Sequence, residues 1–128
     1  MEEIISESEL WRRQAERDVE SAEKNISIQE YALTAFLCQQ AVEKDLKALL
    51  IQKEGQLVKT HSVISLAKRV NMPALLLGKI EKLESVYQRT RYPDVIKKMP
   101  AEEFDAQDAQ EFLEDAKEVL AWTQTQRQ

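Results

Sequence analysis

The chain has 128 residues, with 18 Lys+Arg against 23 Asp+Glu and a formal net charge of −5. That length suits one domain, read as 1–128 with a core of about 6–122, which buries roughly 65% of the surface its unfolded chain exposes. One cysteine, one histidine and two distant glycines exclude an intrachain disulfide, a cysteine or His-pair zinc site and a glycine-rich phosphate loop. Only carboxylate-bound Mg²⁺ is left open as metal chemistry, and no metal or cofactor is assigned.

So few Gly and Pro punctuators favour long helices over sheets. Ser6 and Glu9 have the spacing of a capping box. From there Trp11, Ala15, Val19, Ala22 and Ile26 form one apolar stripe. Lys24-Asn25 reads as a stop, and Ser27 with Glu30 as a second capping box. The second helix is expected from about Ile28 to Lys53, with Tyr31, Ala35, Cys38, Val42, Leu46 and Leu49 inward and Phe36, Leu37 and Leu50 widening the stripe. A helix apolar over so much of its circumference is the central one of a bundle. Gly55 ends it. Thr60 is the candidate N-cap of a short third helix, and Asn71-Met72-Pro73 stops that helix and opens a fourth. In the fourth, Leu76, Ile80, Leu83, Tyr87 and Val86 point inward, and Pro93 ends the helix near Arg91. Tyr92 to Phe104 reads as the longest loop. Asp105 with Asp108 opens the last helix, and Thr123–Gln128 reads as a frayed tail. The expected fold is all-α, an up-and-down four-helix-type bundle with a short additional helix.

Residues 1–30 carry a net −5, residues 31–100 a net +6 and residues 101–128 a net −6. The basic middle is either one side of an internal complementarity or a concavity that attracts phosphate. The acidic N-terminus and the lack of an apolar run of ~20 residues give neither a signal peptide nor a membrane span. With a lone cysteine, the expectation is a cytoplasmic protein that does not touch the membrane.

Three stretches are more telling together than singly. They are Gln39-Gln40-Ala41-Val42-Glu43-Lys44-Asp45-Leu46-Lys47-Ala48-Leu49-Leu50, Lys59-Thr60-His61-Ser62-Val63-Ile64-Ser65-Leu66 and Thr90-Arg91-Tyr92-Pro93-Asp94. In this order they resemble the HEPN domain family (higher eukaryotes and prokaryotes nucleotide-binding), as does the opening Trp11-Arg12-Arg13-Gln14-Ala15-Glu16-Arg17-Asp18. The resemblance implies a compact helical bundle, commonly a homodimer, with members among RNA-targeting toxins that sit beside a small nucleotidyltransferase. Many members cleave RNA without metal, using an Arg and a His with four to six residues between them. Here the positions after Arg91 hold Ile96, Lys97 and Lys98, and those after Arg89 hold Asp94, Val95 and Ile96. The histidine is missing, so no catalytic residue is assigned and the chain leans towards a non-enzyme.

Gln40, Lys44 and Lys47 share a helix face, and Glu43 and Lys47 lie four apart. This is either a solvated stripe with one ion pair or a phosphate-binding wall in which Glu43 helps orient Arg91. Arg89, Arg91 and Tyr92 form a phosphate and base platform, or else Arg91 caps carbonyls and joins Asp94 or Glu43 in a structural network. His61 reads as a helix-start histidine bonded to backbone or to a carboxylate. Cys38 reads as core, and Trp11 and Trp122 as packing or dimer anchors. The candidate ligand site is therefore a groove with Lys44, Lys47, Arg89 and Arg91 on phosphate, Tyr92 stacking a base and Asp94 orienting an Arg, supported by Gln40, Glu43 and His61. The function expected is binding of nucleotide or RNA phosphate, or an accessory role in a toxin-antitoxin pair. The alternatives are an endoribonuclease toxin with a degenerate motif and a structural partner of a small nucleotidyltransferase.

Overall fold

The computed structural model describes residues 5–92 and 99–127, and all regular structure among them is helical. The helices are α1 (Glu7–Ser27), α2 (Tyr31–Glu54), α3 (Val63–Arg69), α4 (Ala74–Glu84), α5 (Val86–Arg89), α6 (Pro100–Glu103) and α7 (Ala106–Gln126). None of them is long and apolar enough to cross a membrane. The central element is α2, packed along α1 and α7 and touching every shorter helix. Its Leu46, Leu49 and Leu50 meet Leu66 of α3, Ile80 and Leu83 of α4, and Leu113 and Val119 of α7 in one core.

Local chemistry explains most of the boundaries. The Ser6 hydroxyl accepts the Glu9 amide at 3.2 Å and so caps α1. The Glu9 carboxylate turns to Arg12 and Arg13 instead of closing the box. Gly55 ends α2 at φ +76°, a conformation costly for a side chain. Asp105 and Asp108 make the reciprocal capping box of α7.

Five boundaries differ from the sequence expectation, the first of them inside the expected Tyr92–Phe104 loop, where Pro100–Glu103 forms α6. Ser27 belongs to α1 and donates to the Lys24 carbonyl, so it opens nothing. The chain turns through Gln29 at φ +61°, and α2 begins at Tyr31 without a side-chain cap. Thr60 accepts from the Ser62 amide, while Ser62 is the residue that caps α3. The fourth helix breaks at Ser85, which hands the chain to the one-turn α5. The expected frayed tail is helical to Gln126, because Thr123 is buried and bonds Asp45 while Arg127 reaches Asp45 at 2.6 Å.

Cys38 lies in the core, as its stripe position predicts. Burial, reinforced by the nearby Asp115 carboxylate, pushes its thiol up to about 12. The nucleophile is the thiolate. An aromatic disulfide reagent at pH 8 should therefore label Cys38 only as fast as the chain unfolds. Rapid labelling of the folded protein would contradict this burial.

Candidate functional site

The site grows from one repeat on α2. Gln39, Glu43 and Lys47 succeed one another at intervals of four, on the side of α2 that faces the interior. The side chains of Glu43 and Lys47 are only 6% and 7% exposed, and they pair at 3.0 Å. Gln39 also donates to Glu43, at 3.1 Å, and His61 approaches both carboxylate oxygens through Nδ1 at 3.3 Å. Glu43 is thus a buried carboxyl group met by three nitrogen groups, as a polar side chain in an apolar interior requires. On its far side the Lys47 ammonium sits 5.7 Å from the Trp11 ring centre.

From His61 the chain of contacts continues through rings. Its imidazole stacks on Tyr87 at 4.7 Å between centroids, with 19° between the planes. The Arg91 guanidinium lies over the same Tyr87 ring at 4.3 Å and over Phe36 at 4.8 Å. Among the described residues no carboxylate pairs with Arg91. Arg91 also lines a cleft of about 330 Å³ together with Phe36, Leu33, Ala32, Thr90 and Glu30. A second cleft of about 280 Å³ lies on the His61 side of Tyr87, lined by His61, Ser62, Glu84, Tyr87 and Gln88.

The structure does not bring the four expected phosphate cations into one groove. Lys44 pairs with Asp18 of α1 at 2.7 Å, in a contact shared with Gln14. Lys47 is turned inward to Glu43. Arg89 clasps Glu103 through Nε and Nη2 at 3.1 and 2.7 Å and covers the Phe104 ring. Each of these three has met a buried or half-buried carboxylate that the fold carries next to it. Of the four, Arg91 alone meets no such carboxylate among the described residues. The Gln40 amide donates to Gln39 Oε1 at 2.7 Å. Tyr92 is 44% exposed, and its amide donates to the Gln88 carbonyl at 2.9 Å in the last helical hydrogen bond of this stretch. Asp94, with Lys97 and Lys98, lies outside the described residues. Glu43 does not touch Arg91 directly, since His61 and Tyr87 stand between them.

Two contributors, Tyr87 and Phe36, are not legible as site residues in the sequence, where their spacing places them on the core stripes. The four-residue spacing of Tyr87 and Arg91 is the signal that finds the first of them. Nothing local pairs Phe36 with Arg91, 55 residues on.

The chain is similar to known proteins along nearly its whole length. Residues 8–126 match the HEPN domain. The protein named "Putative toxin MJ1304" from Methanocaldococcus jannaschii is 32% identical over 130 residues, covering 91% of this chain and 85% of that protein. The crystal structure of ST0689, described as an archaeal HEPN homologue, superposes with a TM-score of 0.82 at 36% identity, over 95% of this chain and 98% of that one. That of TT1696 from Thermus thermophilus gives a TM-score of 0.87 at 28% identity, over 94% and 98%. A match along nearly the whole bundle, on the stretches that hold Glu43, His61 and Arg91, means that the chain belongs to the HEPN domain family.

Proposed function

We propose that this chain is a toxin-type HEPN protein that binds a nucleotide or RNA phosphate through Arg91. The observation that carries the reading is the guanidinium itself, exposed, stacked on two aromatic rings and unmatched by any carboxylate among the described residues. A guanidinium packed on rings keeps its in-plane N–H groups available, which suits a bidentate grip on phosphate. Lys44, Lys47 and Arg89 are already neutralised and drop out as primary contacts.

The test is a titration of the whole chain with mononucleotides and short single-stranded RNA at low salt. Arg91→Ala should weaken binding at least about tenfold, and for RNA it should lower the slope of log affinity against log salt by about 0.7, the share of one phosphate contact. Lys44→Ala should bind as the parent does. Equal affinity of Arg91→Ala and the parent, or no binding by the parent, would refute the reading.

The Glu43–His61 pair favours a second reading, metal-free RNA cleavage. A carboxylate that holds Nδ1 leaves Nε2 outward on a side chain that is 63% exposed, as in a base steered by an orienting acid. Cleavage of RNA in EDTA that is lost in both His61→Phe and Arg91→Ala would support it. Equal background in all three proteins would remove it.

A further inference from the structure

We infer that the cleft between His61 and Glu84 is a guanine subsite, so that the ligand held at Arg91 is a guanine nucleotide or a guanine-containing single strand. The inference rests on the Arg91 reading and adds the identity of the base. Its first support is the character of the His61 ring. Glu43 holds one edge at 3.3 Å and Tyr87 holds one face at 4.7 Å, yet the side chain stays 63% exposed. A flat ring that is both fixed and uncovered is a prepared stacking surface, with little rotamer freedom left to lose.

The second support is Glu84, the acid of the same cleft. Its Oε1 accepts from the Ser62 hydroxyl at 2.7 Å and its Oε2 from the Ile64 amide at 2.9 Å. These bonds lock the carboxylate plane, and each oxygen keeps a further lone pair to offer. Glu84 also supplies the negative charge at the start of α3, so the cleft disfavours a phosphate. What suits it is a planar group with two adjacent N–H donors. Among the four bases only guanine has such an edge, formed by N1–H and the N2 amino group. Adenine and cytosine place a ring acceptor beside their amino donor, and uracil flanks its N–H with two carbonyls. Both arrangements would set lone pairs against the carboxylate.

The remaining wall fits the same base. The exposed Gln88 amide stands in the cleft and can donate to the guanine O6. Tyr87 borders the cleft and also carries Arg91 at 4.3 Å, so base and phosphate would lie around one ring. The Ser62 hydroxyl donates to Glu84 and accepts from the Ser65 amide, so it serves the acid's orientation.

The experiment is calorimetric titration of the whole chain at low salt with GMP, IMP and AMP. IMP differs from GMP only by the missing N2 amino group. GMP should bind about tenfold tighter than IMP, the discrimination of one hydrogen bond to a charged group, and tighter than AMP by at least as much. Glu84→Gln, which replaces one acceptor by a donor, should bring the GMP-to-IMP ratio to about one. Because Glu84 also steadies α3, the ratio in the unaltered protein stands as the primary readout, and circular dichroism checks the variant's fold. Arg91-dependent binding that is equal for the three nucleotides, or that prefers AMP, overturns the guanine subsite and leaves the Arg91 reading standing. Short single strands of oligo(G)-containing and oligo(A) RNA, titrated alongside, distinguish a strand from a free nucleotide, and no binding of any mononucleotide or strand overturns both.

Discussion

Replacing Lys47 by methionine should lower the unfolding free energy by about 3–5 kcal/mol, the usual cost of stranding one member of a buried ion pair. Lys47 and Glu43 are 7% and 6% exposed and only 3.0 Å apart. Methionine fills the lysine's volume but leaves a buried carboxylate with only the Gln39 amide and the largely exposed His61 as donors. The double variant Glu43→Leu/Lys47→Met removes both charges together and should recover most of the loss, because the desolvation cost disappears with the pair. Urea unfolding of the parent, Glu43→Leu, Lys47→Met and the double variant measures this cycle, and Lys47→Met should shift the midpoint with little change in slope. A single variant as stable as the parent would mean that water reaches Glu43 and that the pair is not buried in solution. The double variant should also free the His61 ring, since it loses the carboxylate that holds it, and so weaken nucleotide binding while the fold persists.

The legible parts of this chain are those whose physics is local. Ser6 caps the amide three residues on, Gly55 alone suits the left-handed turn after α2, and Asp105 meets Asp108 across one turn. The inward stripe of α2 is legible from periodicity because its positions from Ala35 to Leu49 are buried. What failed was local reading of distant partners. Ser27–Glu30 has capping-box spacing, yet Gln29 makes the turn and Ser27 bonds backward. The tail looks polar enough to fray until Asp45, on another helix, collects Thr123 and Arg127. The site shows the same division. His61 bonded to a carboxylate was among the readings of its helix-start position, and Glu43 is that carboxylate. Lys44 and Arg89 look like free cations in a basic stretch because Asp18 and Glu103 become visible as their partners only in three dimensions, whereas the Glu43–Lys47 pair is legible from its four-residue spacing and only its burial is not. Net charge along a sequence says nothing of which charges the fold will neutralise.

Truncating Arg127 to alanine should destabilise the chain by about 3 kcal/mol at pH 7, again as one half of a buried pair, and the loss should depend on pH in a defined direction. Asp45 is 1% exposed, and its carboxyl lies above the ordinary 3.8 because burial outweighs the Arg127 charge and the Arg127 and Thr123 hydrogen bonds. A carboxyl raised in the folded state binds its proton more tightly there than in the unfolded chain. Its contribution is therefore complete below the unfolded value near 3.8 and declines as pH climbs through the higher folded value. Without the guanidinium, ionising Asp45 costs more, the folded value rises further and the decline steepens. The gap between parent and Arg127→Ala should then be smallest near pH 4 and widen towards neutrality. Denaturant unfolding at both pH values measures the gap, and amide exchange in the last turn of α7 should quicken in the variant at pH 7. A gap of constant size would show that Arg127 acts through packing of its stem alone, and that the Asp45 charge does not hold the end of α7 in place.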